Sequence, residues 1–289
     1  MPNKVYRPLK KENFLPELPP LLPVVQASLG CCDGPRLAAA VSRAGGLGTL
    51  SVRSPDPASL RRQLRQIRAI TPRPVLLALT AQWESDAVFD TAVAEGARLF
   101  QVFWWNAPRL IPRIKRADGI AFYQIGTRGE ARDAVEMGAS VLVAQGTGAG
   151  GQVRSPRPVL DLVRELRDEF GTAIPIIAGG GFADAGDMRA ALAVGANAAL
   201  FGTRFLLSEE ANAAPQDKVR LLRAGEADLH LDTRLTGDWP CAPRRRLRMQ
   251  TDEDRPSLFA GVGVGKIRTV LPALDIVRAL TSATASGQL

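Results

Sequence analysis

The 289-residue chain has a single histidine, His230, and only three cysteines, Cys31, Cys32 and Cys241. One imidazole leaves a histidine-based nucleophilic triad, or a metal site with several histidines, almost nothing to work with. Adjacent cysteines rarely pair with each other, and no C-x-x-C spacing occurs, which argues against zinc and a disulfide framework. Long apolar runs are missing as well. None reaches the length of a membrane span, and Lys4, Arg7, Lys10 and Lys11 precede no signal-type apolar core. The expectation is a soluble, cytoplasmic protein without a membrane partner. Aromatic residues make up only 6% of the chain and are not interleaved with the basic ones. The formal charge of +8, and the cluster Arg244, Arg245, Arg246 and Arg248, therefore do not predict a nucleic-acid partner. They are read as an arginine-rich solvated surface, with attraction for anionic ligands such as phosphates as the sharper alternative.

What the chain does contain is an ordinary globular mixture, 46% apolar and 23% charged, long enough for one large α/β barrel or two average domains. Residues 1–20 are basic, proline-rich and aperiodic and read as an arm. From Pro23 a rhythm begins. Short apolar runs at 23–28, 48–51, 74–79, 99–103, 120–125, 141–144, 174–178 and 198–201 read as strands. Helical spacing predicts helices at 35–44, 57–70, 85–95, 108–116, 129–137, 158–170 and 184–194. Three of the helices end in Gly-Ala before the next strand, at Gly96, Gly138 and Gly195. Nearly continuous apolar strands separated by helices indicate a parallel sheet buried on both faces. Eight such units indicate an α/β fold of the (β/α)8 barrel type, with residues 268–280 as a closing helix.

In such a barrel ligands meet the loops after the strands, expected to begin at Ser28, Leu50, Thr80, Trp104, Gly126, Gln145, Gly179 and Gly202. Three of these loops are glycine-rich. The first runs Gln145-Gly146-Thr147-Gly148-Ala149-Gly150-Gly151-Gln152. The second holds Gly179, Gly180 and Gly181, and the third Gly202 and Thr203. Glycine lets a backbone approach a ligand closely, and helix N-termini opening after such loops suit a phosphate. The first loop formally matches G-x-G-x-x-G, but it opens no helix at once and follows the sixth strand, which disfavours a dinucleotide fold.

Taken together these motifs resemble the nitronate monooxygenase family (formerly 2-nitropropane dioxygenases), FMN-dependent TIM barrels related to flavin-dependent enoyl reductases. The resemblance runs over most of the chain. It rests on Leu37 through Gly48, on Gln124 to Thr127, on Val143 to Gly151, and on Ala178 to Asp184. It continues through Gly202 to Phe205, Ser208 to Glu210, and Gly237 to Pro240 with Arg245 or Arg246. The family pattern implies an FMN cofactor, its phosphate against Gly180, Gly181, Gly202 and Thr203. It implies a flavin ring near Gln26, Ala27, Ser28, Gln145, Gly150 and Gly151, with Gln124 also on the cofactor side. The family loop ends in a histidine, the presumed catalytic residue. Here Gln152 stands in its place, and a carboxamide orients an oxygen but does not act as a base near neutral pH. At the end of the third strand, where the family often has asparagine, stand Leu79 and Thr80.

The resemblance implies oxidation of a nitronate or similar small anionic substrate with dioxygen, a substrate that arrives deprotonated making Gln152 tolerable. Two alternatives stay open: an NAD(P)H-dependent FMN enoyl reductase, and an FMN- or phosphate-binding protein without turnover. No metal is expected; the oligomeric state stays open, with a homodimer among the options. The expected organisation is an arm at 1–20, the FMN-binding barrel at 21–210, a cap or insertion at 211–265, and a closing helix with tail at 266–289. His230 reads as an ordinary cap residue. Cys31 and Cys32 read as small apolar packing close to the first strand end, and Trp104 and Trp105 either wall the site or pack.

Overall fold

The computed structural model describes residues 21–80, 85–104, 107–233, 242–248 and 258–282. The expected arm, Trp105, the 237–240 motif, Cys241 and the tail from 283 lie outside these residues.

The chain alternates strand and helix: β1 (Val24–Gln26), α1 (Pro35–Arg43), β2 (Gly48–Val52), α2 (Pro57–Ile70), β3 (Val75–Leu79), α3 (Asp86–Ala94), β4 (Leu99–Phe103) and α4 (Ala107–Arg116). It goes on through β5 (Ile120–Ile125), α5 (Arg128–Met137), β6 (Val141–Gln145), the short β7 (Gly151–Gln152), α6 (Val159–Phe170), β8 (Ile176–Gly179), α7 (Ala185–Ala193) and β9 (Ala198–Phe201). Local chemistry sets the boundaries. Asp56, Ser85 and Thr127 cap α2, α3 and α5 by accepting from first-turn amides. Gly96, Gly138 and Gly195 stop their helices at φ of +80°, +91° and +100°, a conformation a Cβ would strain.

Eight parallel strands run in the order β1-β9-β8-β6-β5-β4-β3-β2. Their outward residues pack under the helices, as Leu50, Val52, Leu77 and Leu79 do. Their inward residues, among them Val25, Leu76, Leu99, Phe122, Val143 and Ile177, fill the barrel. Strand β2 continues to Val52, so its loop starts at Arg53 rather than at Leu50.

The seam between β1 and β2 closes differently from the other seven. Only one bridge, Val25 to Leu47, joins them. Beyond it the Gln26 carboxamide takes the place of a ladder peptide. Its Oε1 accepts from Thr49 N at 3.0 Å, its Nε2 donates to Thr49 O at 3.0 Å, and the Thr49 hydroxyl donates to Gln26 O. Gln26, expected on the cofactor side, is fully buried and absent from the cavity wall described below. Gln26→Leu should cost about 2–5 kcal/mol, since it leaves the Thr49 N–H and C=O buried without partners. Urea unfolding checks this.

After β9 comes one helical turn, α8 (Thr203–Leu206), then an excursion through α9 (Pro215–Arg223), β10 (Leu229–Asp232) and β11 (Arg244–Leu247). The eighth helix of the ring is α10 (Ala273–Thr281), which packs against α1, α7 and β1. It begins five residues later than the apolar pattern suggested, because Pro272 is extended (ψ 143°) ahead of it. Strand β11 pairs antiparallel with β10 on one side and with β7 on the other, setting Arg244 opposite Gln152 and Arg245 opposite Gly151.

Candidate active site

A cavity of about 380 Å³ opens at the C-terminal ends of the barrel strands, within the range of small-molecule sites. Its wall includes Ala27 and Ser28 after β1, Gln124 on β5, and Gln145, Gly150, Gly151 and Gln152 around β6 and β7. Gly180 and Gly181 after β8, and Gly202 and Thr203 after β9, complete the set that the sequence singled out. Gln26 is the one candidate left outside. Reading the sequence missed Gln101, Ser51, Arg53, Phe182 and Phe259, which also line the cavity. Gln101 is an inward polar residue in an otherwise apolar strand, and that irregularity was the available signal.

The glycines divide into two kinds. A Cβ on Gly146 would lie 2.4 Å from Val159 N, and one on Gly150 would lie 2.5 Å from Ala260 C. One on Gly148 would lie 2.9 Å from Gly180 O. These three let segments of the chain cross one another. Gly151 and Gly202, in contrast, have no protein atom closer than 3.9 and 3.7 Å to such a Cβ, so a side chain there would meet only ordinary van der Waals contact. Gly180 and Gly181 adopt φ of +145° and +86°. Behind them Asp184 and Asp187 form a capping box on α7 that takes up the Ala183, Asp184 and Asp187 amides, and Lys266 binds Asp187 at 2.6 Å. Glycine backbone, not a helix end, forms this part of the wall.

Opposite the glycines the wall is rich in carboxamides. Gln145 Nε2 donates to Gln152 O at 2.8 Å, and its Oε1 accepts from Arg154 N at 3.2 Å, so Gln145 fixes the loop that carries Gln152. Arg245 supports the same loop from beneath: its Nη1 donates to Ala149 O at 2.9 Å and to Thr147 O. The arginine cluster is thus partly spent inside the protein, with Arg246 paired to Asp232 at 2.8 Å. Gln101 Nε2 donates to Gln124 Oε1 at 3.1 Å, while Gln101 Oε1 and Thr80 Oγ1 are buried without a hydrogen-bond partner. An orphaned amide oxygen and an orphaned hydroxyl on one cavity wall are what a site looks like when its ligand supplies the missing partners. Trp104, held at φ +33° with the Arg154 guanidinium 4.9 Å from its ring, closes one side.

A buried carboxyl lies behind the wall. Asp33 is 4% exposed and accepts from Leu29 N at 2.7 Å, from Ser51 N at 3.0 Å and from the Ser51 hydroxyl. Burial outweighs these donors and pushes its pKa up to about 6. Cys31 and Cys32 also reach the cavity, their sulfurs 3.8 Å apart. The neighbouring Cys32 thiol and, less strongly, Arg53 lower the Cys31 thiol to about 6, while Cys32 is raised. His230 stands exposed on β10 opposite Arg246, away from the wall.

Fold and cavity together define a (β/α)8-barrel protein with a small-molecule site at the C-terminal ends of its strands. The family model described as nitronate monooxygenase matches residues 14–98 and 101–248, and the chain belongs to that family. Among similar proteins, a (3aS,4S,5R,7aS)-5-hydroxy-7a-methyl-1-oxo-octahydro-1H-indene-4-carboxyl-CoA dehydrogenase of Mycobacterium tuberculosis is 34% identical over 80% of this chain and 64% of that protein. The chain therefore spans somewhat less than two thirds of this relative's length. The structure of FabK from Thermotoga maritima superposes with a TM-score of 0.82 at 25% identity, over 90% of this chain and 91% of that one. A nitroalkane oxidase from Streptomyces ansochromogenes superposes at 0.78, also at 25% identity, over 93% and 97%.

Proposed function

We propose that the cavity holds FMN and that the protein oxidises a small nitronate-type anion with dioxygen. The observation that carries this reading is the cavity itself: glycine backbone at Gly180, Gly181 and Gly202 shares its wall with carboxamides and with two orphaned polar oxygens, Gln101 Oε1 and Thr80 Oγ1. A phosphate needs closely approaching backbone N–H groups, and a flavin ring needs donors and acceptors in one plane. The residues present fit both demands. Gly180, Gly181, Gly202 and Thr203 would hold the phosphate, and Ala27, Ser28, Gln124, Gln145, Gly150 and Gly151 would flank the ring. When bound, FMN accepts electrons from the substrate and passes them on to dioxygen.

The chain supplies position and electrostatics. Gln152 donates its amide hydrogens to an anionic oxygen. The bond from Gln145 to its backbone and the pairing of β7 with β11 hold it in place. Trp104, Phe182 and Phe259 supply apolar surface to the same wall. Gln152→Ala should lower kcat/KM for a nitronate by about 10- to 100-fold, the worth of a hydrogen bond to a charged group, with the bound-flavin absorption unchanged.

The deciding measurements are the visible spectrum of the purified protein, identification of any released chromophore, and oxygen uptake with a nitronate. A colourless protein that cannot be loaded with FMN, or a loaded protein that consumes no oxygen, would overturn the reading. A second reading, reduction of an acyl-thioester substrate with electrons from NADH or NADPH, draws its substrate class from the 34%-identical carboxyl-CoA dehydrogenase. It requires rapid flavin reduction by NADH or NADPH under nitrogen, which the nitronate reading does not.

A further inference from the structure

We propose that Asp33, acting through Ser51 and Ser28, is the base that removes a proton from a neutral carbon acid in the cavity, so that the anion oxidised there is also made there. This rests on the nitronate reading above. Gln152 cannot take up a proton, and the described residues offer no other buried carboxyl: Asp33 is the only acidic residue in the buried set.

The hydrogen bonds run one way. Ser51 has a single hydroxyl proton, and it is donated to the Asp33 carboxylate. In the 2.6 Å contact between the Ser28 and Ser51 hydroxyls, Ser28 must then be the donor. That leaves the Ser28 lone pairs free to accept, and Ser28 lies on the cavity wall beside Ala27 and Gly202. An ionised Asp33 thus presents an acceptor to the cavity through two hydroxyls. On proton removal the substrate C–H bond breaks and its electron pair stays on the substrate. The proton joins Ser28 Oγ, the Ser28 proton moves to Ser51 Oγ, and the Ser51 proton moves to Asp33, which ends as the neutral acid. No charge is left on either serine, and no oxidant is needed.

The setting favours this use. Burial holds the carboxyl near 6, so above that value Asp33 is ionised yet more basic than an exposed aspartate. The charged and titratable groups around it are Arg53 beyond the end of β2, Cys31 and Cys32 on the preceding turn, and Asp217 on α9, which acts on the two cysteines. Asn212 binds only the Asp33 main chain, donating to its carbonyl at 3.1 Å. A purely structural Asp33, tying the loop after β1 to β2, would need its bonds to Leu29 N and Ser51 N but not the one between the serines.

Ser28→Ala separates the two roles, because it breaks the last link and leaves every bond to Asp33 in place. The FMN-loaded full chain is incubated under nitrogen with nitroethane deuterated at the carbon next to the nitro group, and loss of deuterium to water is followed by NMR. Oxidation of neutral nitroethane and of ethyl nitronate is compared in air across pH. Wild type should wash out deuterium, and its rate on neutral nitroethane should rise with pH through about 6 and then level. Ser28→Ala and Asp33→Asn should each lower washout, and the neutral-to-nitronate activity ratio, by about 100-fold. Absence of washout in wild type, or washout and ratio unchanged in Ser28→Ala, overturns the relay. Failure to oxidise ethyl nitronate while washout persists overturns the proposed function and leaves the relay standing.

Discussion

Gly180→Ala is expected to purify largely without flavin. Gly180 sits at φ +145°, where an L side chain is strained by about 1–3 kcal/mol. Its Cβ would also lie 3.0 Å from Gly146 N and 3.1 Å from both Gly146 Cα and Gly146 O. All three are backbone atoms of the neighbouring glycine loop, so no side chain can swing aside to make room. Relief comes only by parting the loop after β8 from the loop after β6, and these are the two walls between which the cofactor is proposed to lie. Affinity for FMN should weaken about 100-fold, equivalent to about 2.7 kcal/mol, as read by fluorescence on reloading the apoprotein. Gly96→Ala is the control. It imposes a comparable strain, at φ +80°, with no atom within 4 Å of the new Cβ and at the far end of the barrel. It should lower Tm yet retain flavin. If Gly180→Ala binds FMN as wild type does, the glycines after β8 are turns and the phosphate belongs elsewhere.

The contrast between these two glycines marks how far the sequence could be read. Helix α2 and strands β4, β5 and β9 lie where the apolar pattern put them, because α2 buries Leu60, Leu64 and Ile67 at three- to four-residue spacing and the strands are short, nearly continuous apolar runs buried on both faces. The stops at Gly96, Gly138 and Gly195 were equally legible, since a left-handed helix end is a local demand. What stayed hidden depends on distance along the chain. Asp33 and Ser51 are 18 residues apart and meet only because β1 and β2 are neighbours across the seam. Arg245 reaches Ala149 across 96 residues, and nothing local to either arginine or glycine loop announces the contact. Gln26 entered as a flavin neighbour only through the family resemblance, and its pairing with Thr49 across the seam was out of reach of the sequence. The loop 146–151 misled in a subtler way. Its glycines do allow close approach, but for Gly146 and Gly150 what approaches is the protein's own backbone at Val159 and Ala260.

The same distinction governs Gly48→Ala, the substitution expected to damage the fold most. Gly48 opens β2 on its outward face, where α1 crosses with Ala38, Ala39 and Ala40 all buried. A Cβ there would sit 2.0 Å from Ala38 O, 2.7 Å from Ala38 C and 2.8 Å from Ala38 Cα. Helix and strand touch backbone to backbone, so a methyl group can be accommodated only if α1 shifts as a body. That shift would be carried into α2 and α10, both packed on α1. Overpacking usually costs about 1–3 kcal/mol, and a rigid backbone partner puts this case above that range, at roughly 3–5 kcal/mol. For a chain of this size the loss corresponds to about 5–8 °C in Tm, measurable by calorimetry on the flavin-free protein so that cofactor release does not enter. Strand β2 also carries Ser51, three residues on and facing inward, so the substitution should weaken Asp33 hydrogen bonding without touching the site directly. A Gly48→Ala protein that melts with wild type would mean that α1 lies farther from β2 than described here. The small residues at 38–40 would then have no packing reason to be small.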